Sequence, residues 1–515
     1  MVPTLSSPYW QNIALFTGLL VLLLIARLAT IRYRPGLRSI PGPFLATISN
    51  LDRLWSCATG HQMLYHLALH QKYGPLVRVG PHHVSFSAGA LIPQIYGVAT
   101  KFVKSDFYKM FDIKAPSGGE QSTIFSVRDE EEHRVAKRPI ANAYSMGVLK
   151  ELEPMNDACS ATFMRKMEGF AESGESFDLG EWLHWYAFDT ITSITFSNRL
   201  NFMEDEQDKG GIITAIEGRL LYNSIVGQVP WLHGYLFGNT WVSWLTSSIS
   251  AVAPLNKSKF IVDFAAQNLE RYQNKESNTV DLPDMLDRFK RFRDGEVVMT
   301  DGQLLGHAVS NIFAGADTTA ISLRAIFYYL CRHPSVYKTL LAEIDEADAQ
   351  GKLSDPVTFT ESMNLPYFQA CIKEALRMHP AVGLLLERVV PPSGLQLTDE
   401  IWLPGGTVVG MNPWVAARDS SVYRFDASSF RPERWLEASA EQMKLMERSF
   451  LAFGAGARTC LGKNISLLEM GKLVPLVLRR FEFELVDPGR EWVLWDYWFV
   501  RQTGLRCRVK RRRRS

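Results

Sequence analysis

With 515 residues, 46% hydrophobic and 21% charged, the chain is a globular protein with room for one large domain or several ordinary ones, and disorder is excluded. A net charge of +2 gives no reason to expect a nucleic-acid partner. Six scattered cysteines with no CxxC pair fit a reducing compartment better than a disulfide scaffold.

The first element is apolar. Tyr9 to Ile31 is just long enough for a helix to cross a bilayer, with Arg27 able to snorkel toward the headgroups. No Lys or Arg precedes the run, whereas Arg27, Arg32, Arg34 and Arg38 follow it, which predicts a cytosolic body. A cleaved secretory signal would bring a basic leading region and a small-x-small cleavage site, and neither is seen. "SIPGPF" (Ser39–Phe44) cannot continue a helix and predicts a stiff elbow between anchor and body.

Leu51 to Gly74 has helical apolar spacing and predicts one amphipathic helix with His61, His66 and His70 on its polar face rather than a metal pair. "PLVRVG" and "HVSFS" read as strands, as do "FEFELVD" and "GLRCRVK" near the carboxyl end. "RDEEEHRVAKR" (Arg128–Arg138) opens a helix at Asp129, with His133 and Lys137 on one face, and on its own reads as a charged exposed surface. A long helix is predicted over about Gly302 to Arg332, closed by His333-Pro334. Within it, "AGADTT" (Ala314–Thr319) is a weak point, because glycine costs about 1 kcal/mol there and a threonine hydroxyl can bond back one turn. Another helix covers Tyr367 to Met378 and carries Glu374 and Arg377 at a spacing that lets them meet. "SFRPERW" (Ser429–Trp435) is predicted as a loop, and "KRRRRS" at the end as a solvated basic tail suited to anionic lipid.

"FGAGARTCLG" (Phe453–Gly462) brackets Cys460 with three glycines and an arginine, just before a helix. The helix N-terminus and Arg458 are both expected to favour the thiolate. The glycines permit tight turns and a bulky neighbour, and Phe453 supplies an aromatic wall. A flat anionic cofactor with a metal centre fits these demands, and thiolate-ligated heme is the natural candidate. A dinucleotide fingerprint lacks its third glycine here, a nucleophilic cysteine lacks a local histidine, and a buried structural cysteine leaves the glycines unexplained.

Phe453-x-x-Gly456-x-Arg458-x-Cys460-x-Gly462 resembles the heme-binding signature of the cytochromes P-450. Ala314-Gly315-x-Asp317-Thr318-Thr319, Glu374-x-x-Arg377 and Pro432-Glu433-Arg434-Trp435 follow the family's order, the last with Trp where the family often has Phe. The overall texture is similar to microsomal fungal members of the pisatin demethylase-like branch. The resemblance implies a mainly α fold with small β-sheets, divided into an anchor (1–32), a proline-rich hinge (33–48) and one catalytic domain (49–515). It implies heme b with Cys460 as axial ligand to the iron, and Asp317 and Thr318 as the distal acid–alcohol pair. Phe453, Gly456 and Gly462 would surround the cofactor, with Arg458, Arg388, His133 and Lys137 at its propionates. The two last stand where the family often has Trp and Arg. Glu374, Arg377 and Arg434 would form a structural ion network.

The implied reaction is oxygen insertion into a C–H bond, or epoxidation, of a lipophilic small molecule. A membrane-bound NADPH–cytochrome reductase would supply the electrons, with cytochrome b5 as a second donor, at the endoplasmic reticulum. Arg134, Arg138, Lys463 and Lys472 are the basic residues expected to meet such a partner. The substrate would lie against Phe111–Phe125, Ile312–Phe313, Ala381–Leu386 and Trp498–Phe499, and a polyketide, terpenoid or phenolic of secondary metabolism would suit. A heme-thiolate isomerase or dehydratase of the same fold, against which the retained Asp317-Thr318 pair speaks, and a membrane-anchored heme-binding or sensing protein are the alternatives.

Overall fold

A computed structural model describes residues 8–114, 120–236, 259–273, 283–290, 299–398 and 400–512. The leading apolar run is a helix, Pro8–Arg32, and its part from Asn12 to Arg32 has mean hydropathy 2.3 with none of it buried. That length and composition suffice to cross a bilayer. Buried Arg78, on the strand Leu76–Gly80, donates to the carbonyls of Ile31 (2.7 Å) and Arg32 (2.8 Å) at this helix's last turn. That helix end is therefore tied to the body by carbonyls that every helix leaves unsatisfied, and the elbow by the Arg78 amide, which donates to the Pro41 carbonyl at 2.7 Å.

The next segment departs from expectation. It forms two helices, Leu51–Ala58 and Gln62–Tyr73, with a break at Thr59-Gly60. The break turns the second helix inward, so its histidines do not line a polar face. His66 is buried, and half-buried His70 lies 2.7 Å from Ser85 Oγ. Among the described residues no group of His, Cys, Asp or Glu is placed to hold a metal.

Two helices organise the core. Asp301–Arg332 starts at Thr300, whose hydroxyl accepts from the Gln303 amide while the Gln303 side chain accepts from the Thr300 amide, closing a capping box. It packs along Leu179–Phe196, in which every side chain but that of Glu181 is buried, as expected of a helix apolar all round. Lys463–Leu478 lies against the central helix on another side, pinned by Thr319 Oγ1 and Ser466 Oγ at 2.8 Å.

The strands predicted early and late are present. The larger sheet has the order Leu76–Gly80, His83–Phe86, Val408–Gly410, Arg388–Val389, Val103–Lys104. Phe481–Leu485, Arg506–Arg511 and Phe177–Asp178 form a second sheet, and Val493–Tyr497 with Phe499–Thr503 a hairpin. At the end of the described residues Lys510 pairs with Glu484, Arg511 with Glu168 and Glu172, and Arg512 with Asp345, with Lys510 and Arg511 remaining exposed. Residues 513–515 lie outside the described residues.

Candidate functional site

A cavity of about 1150 Å3 lies between the central helix, the Cys460 loop and the helix Ile212–Val226. That exceeds the ~300–1,000 Å3 of an ordinary small-ligand pocket, which leaves room for a flat cofactor and a substrate together. Cys460, Phe453, Gly462, Arg458, His133, Lys137 and Thr318 all line it. Gly456, Arg388 and Asp317 do not.

The cysteine loop is built by its own backbone. The Cys460 amide donates to the Phe453 carbonyl at 2.8 Å, and the Thr459 amide to that of Gly456 at 3.1 Å. Gly454 and Gly456 have φ of +68° and +63°, which side-chain-bearing residues rarely adopt. Cys460 is exposed to the cavity, not to the outer surface. Enclosure by protein raises the thiol's pKa, opposed by the amides of Gly462 and Lys463 and by the Lys463 charge. The expected push from Arg458 is absent, since its guanidinium turns away: Nε donates to Glu130 Oε1 at 3.0 Å and Nη1 to the Val127 carbonyl at 2.9 Å. Metal coordination removes a thiol proton outright, so the upward push from burial is compatible with ligation.

Cations gather at one end of the cavity. Lys104, which nothing in the sequence singled out, sits on an edge strand directly opposite Arg388. Like charges so placed destabilise a strand pair unless an anion joins them. The nearby carboxylate of Glu387 is already engaged by Arg53 and by Ser105 Oγ at 2.5 Å. Burial, then the charges of Arg388 and Arg458, push the Lys104 ammonium well down. His133 is held at about 3 by burial and by Arg458, Lys104, Lys137 and Arg388, so it is neutral. Lys137 reaches the Ala457 carbonyl at 3.2 Å. Five basic side chains therefore surround one region, in which Glu130 on Arg458 is the carboxylate counted among their interactions. A ligand with two acidic groups fits this end, as a heme with its propionates would.

The central helix forms the facing wall. It runs unbroken through Gly315, against which Ile191 packs so closely that an added Cβ would lie 2.8 Å from it. Thr318 Oγ1 donates to the Ala314 carbonyl at 2.7 Å, the back-bond expected one turn earlier. Asp317 points away into the protein, with Oδ1 2.6 Å from His184 Nε2. Burial keeps His184 below its ordinary pKa although Asp317 pulls it up, so a neutral ring donates to the carboxylate. On the apolar side Phe313, Val382, Trp498 and Phe499 reach the cavity, whereas Ile312 is packed in the core.

The ion network is complete. Glu374 accepts from Arg377 (2.7 and 2.8 Å), from Arg434 Nε (2.8 Å) and from the Trp435 indole (2.9 Å). The Trp departure thus adds a donor where Phe has none. Of the basic residues expected to meet a partner, Lys472 is buried on Glu153 (2.6 Å) and Asp157 (3.0 Å) and leaves that set, and Arg134 is exposed on Glu131.

The family profile of the cytochromes P-450 matches residues 39–496. Cytochrome P-450 monooxygenase cicH of Emericella nidulans is 38% identical over 505 residues, 97% of this chain and 99% of that one. Cytochrome P-450 monooxygenase gsfF of Penicillium aethiopicum is 36% identical over 92% of this chain and 93% of its own. Cytochrome P-450 monooxygenase pkfB of Emericella nidulans is 38% identical over 92% and 91%. With the thiol-lined cavity, the cationic end and the Glu374 network in place, the chain belongs to the cytochrome P-450 family of heme-thiolate monooxygenases.

Proposed function

We propose that Cys460 is the axial ligand of the heme, and that the chain inserts oxygen into a lipophilic molecule of fungal secondary metabolism. The observation that carries this is a single cavity shared by the Cys460 thiol, the Thr318 hydroxyl and a cluster of cations in excess over the Glu130 carboxylate that meets Arg458. When bound, heme supplies the redox chemistry that activates dioxygen and attacks an unreactive C–H or C=C bond.

The protein supplies position and protons. The amides of Gly462 and Lys463 point at the Cys460 sulfur and stabilise its ionised form. Lys104, Lys137 and Arg458 would hold the propionates, neutral His133 would donate a hydrogen bond, and Arg388 would add charge from its place opposite Lys104. Thr318 presents its hydroxyl to the cavity, and Asp317, steadied by His184, is the acid beside it on the same helix. Apolar lining excludes water from the reacting region.

Residues 1–32 serve as a single-pass anchor in the endoplasmic reticulum membrane, 33–48 as the hinge and 49–515 as the cytosolic catalytic domain. An NADPH–cytochrome reductase, with cytochrome b5 as a second donor, meets the proximal face near Arg138 and Lys463. Turnover is expected to require NADPH, reductase and dioxygen together, and turnover of a peroxide without them would overturn this reading. Thr318→Ala is expected to divert most NADPH-derived electrons from product to hydrogen peroxide, since a positioned proton donor is worth roughly 10²- to 10⁴-fold. Coupling equal to wild type, measured as product per NADPH, would remove Thr318 from its role.

A further inference from the structure

We infer that the cavity selects flat aromatic substrates over saturated ones of the same shape, and that Trp498 is the positioning residue behind this preference. The inference rests on the cavity being the substrate site. Trp498 occupies the turn between Val493–Tyr497 and Phe499–Thr503 with φ of +72°. A bulky residue adopts that conformation only when its surroundings enforce it, and such strain collects at functional sites.

The surroundings here do enforce it. The Gly383 amide donates to the Trp498 carbonyl at 3.0 Å, and the Val500 amide to that of Ala381 at 2.8 Å. Asp496, two residues before the turn, accepts from the Met63 amide at 3.0 Å while its own amide donates to Gly60 at 2.7 Å. Both flanks of the turn are thus fastened to separate segments of the body.

The strained turn delivers an indole into a group of rings. Its centroid lies 5.5 Å from Phe107, 6.0 Å from Tyr108, 5.4 Å from Phe111 and 5.7 Å from Phe125. Phe111 and Phe125 meet nearly edge to face, at 5.0 Å and 77°. Trp498 itself is only 3% exposed, whereas Phe125 is 37% exposed and Phe111 half-buried, and all three line the cavity. The indole is therefore a hub that holds two rings at the cavity wall, of which Phe125 also carries the Lys104 ammonium 4.1 Å from its centroid. Phe313 and Phe499 add rings from two other elements. Offset and edge contacts with a π-system carry an attraction that a saturated ring of equal area lacks.

Calorimetric titration of the full heme-loaded chain with 2-(hydroxymethyl)naphthalene and its fully saturated counterpart tests this. Each affinity is referred to the probe's water-to-hexadecane partition. The aromatic probe is expected to bind about tenfold more tightly on that scale, which corresponds to ~1.4 kcal/mol and lies within the range of aromatic contacts. Trp498→Leu should bring the ratio near one while leaving the saturated probe within about threefold of wild type, and Phe125→Leu should reduce the ratio part of the way. Equal relative affinities in the wild type, equal losses for both probes in Trp498→Leu, or an unchanged ratio in Phe125→Leu would overturn the inference. Should Trp498→Leu not fold, Phe125→Leu decides alone. Calorimetry reads occupancy of the cavity regardless of heme ligation, so a missing thiolate spectrum counts against the cofactor reading and a missing ring preference against this one.

Discussion

Arg377→Leu is expected to destabilise the folded protein by about 3–5 kcal/mol, the cost of breaking a buried, hydrogen-bonded ion pair by removing one partner. Both Glu374 and Arg377 are 0% exposed at the side chain. The Arg377 guanidinium also satisfies the carbonyls of Ala417, Ala427 and Ser429, so its loss strands those acceptors as well as the carboxylate. Burial alone would raise the Glu374 pKa, yet hydrogen bonds and charge from Arg377 and Arg434 hold it below the usual carboxylate range. The charge in this site is therefore sustained by its partners. Urea or thermal unfolding of the full chain reads the effect. Arg134→Ala, which removes an exposed pair with Glu131, is expected to leave the transition where it is. A loss below about 1 kcal/mol for Arg377→Leu would mean that Arg434 and Trp435 sustain the carboxylate by themselves.

Gly456→Ala is expected to cost about 2–4 kcal/mol and to weaken heme retention, from a left-handed conformation worth ~1–2 kcal/mol plus displacement of packed backbone. At φ of +63° an added Cβ would lie 1.6 Å from the Tyr96 carbonyl oxygen and 2.7 Å from its carbon. That neighbour is main chain and cannot rotate aside. Gly462 provides the contrast, with φ of −79° and no atom within 4 Å of a Cβ. Gly462→Ala should cost polypeptide stability only about 0.5–1 kcal/mol, the difference between glycine and alanine at a helix N-cap. Its methyl would instead enter the cavity and disturb the cofactor. Paired thermal unfolding and heme-loss rates for the two variants separate these roles. Equal stability losses would show that the two glycines serve one purpose.

The division between them was not legible in the sequence, where Gly456 and Gly462 look alike beside Cys460. Local chemistry was. The central helix begins and ends within a residue of its predicted bounds because a threonine cap and a His-Pro stop are written at its ends. The spacing of Glu374 and Arg377 put them on one face, and the family resemblance rather than any spacing joined Arg434 to them, as the structure shows. Lys104 could not have been found, because its meaning lies in pairing with Arg388 from a distant part of the chain. Lys472 misled for a related reason: a lysine in an apolar helix suggests a surface, but that helix is buried from Leu468 onward and two acids from Glu153–Ser173 meet the charge. Asp317 faces His184 and not the cavity, an orientation that adjacency to Thr318 in sequence does not reveal.

The most direct measurement is the carbon monoxide difference spectrum of the reduced, full-length protein beside that of Cys460→Ala. Wild type should show the Soret shift characteristic of thiolate ligation, and Cys460→Ala should lose it while far-UV circular dichroism stays unchanged. A wild-type spectrum typical of histidine ligation, or a variant that keeps the thiolate band, would contradict the assignment of Cys460 to the iron.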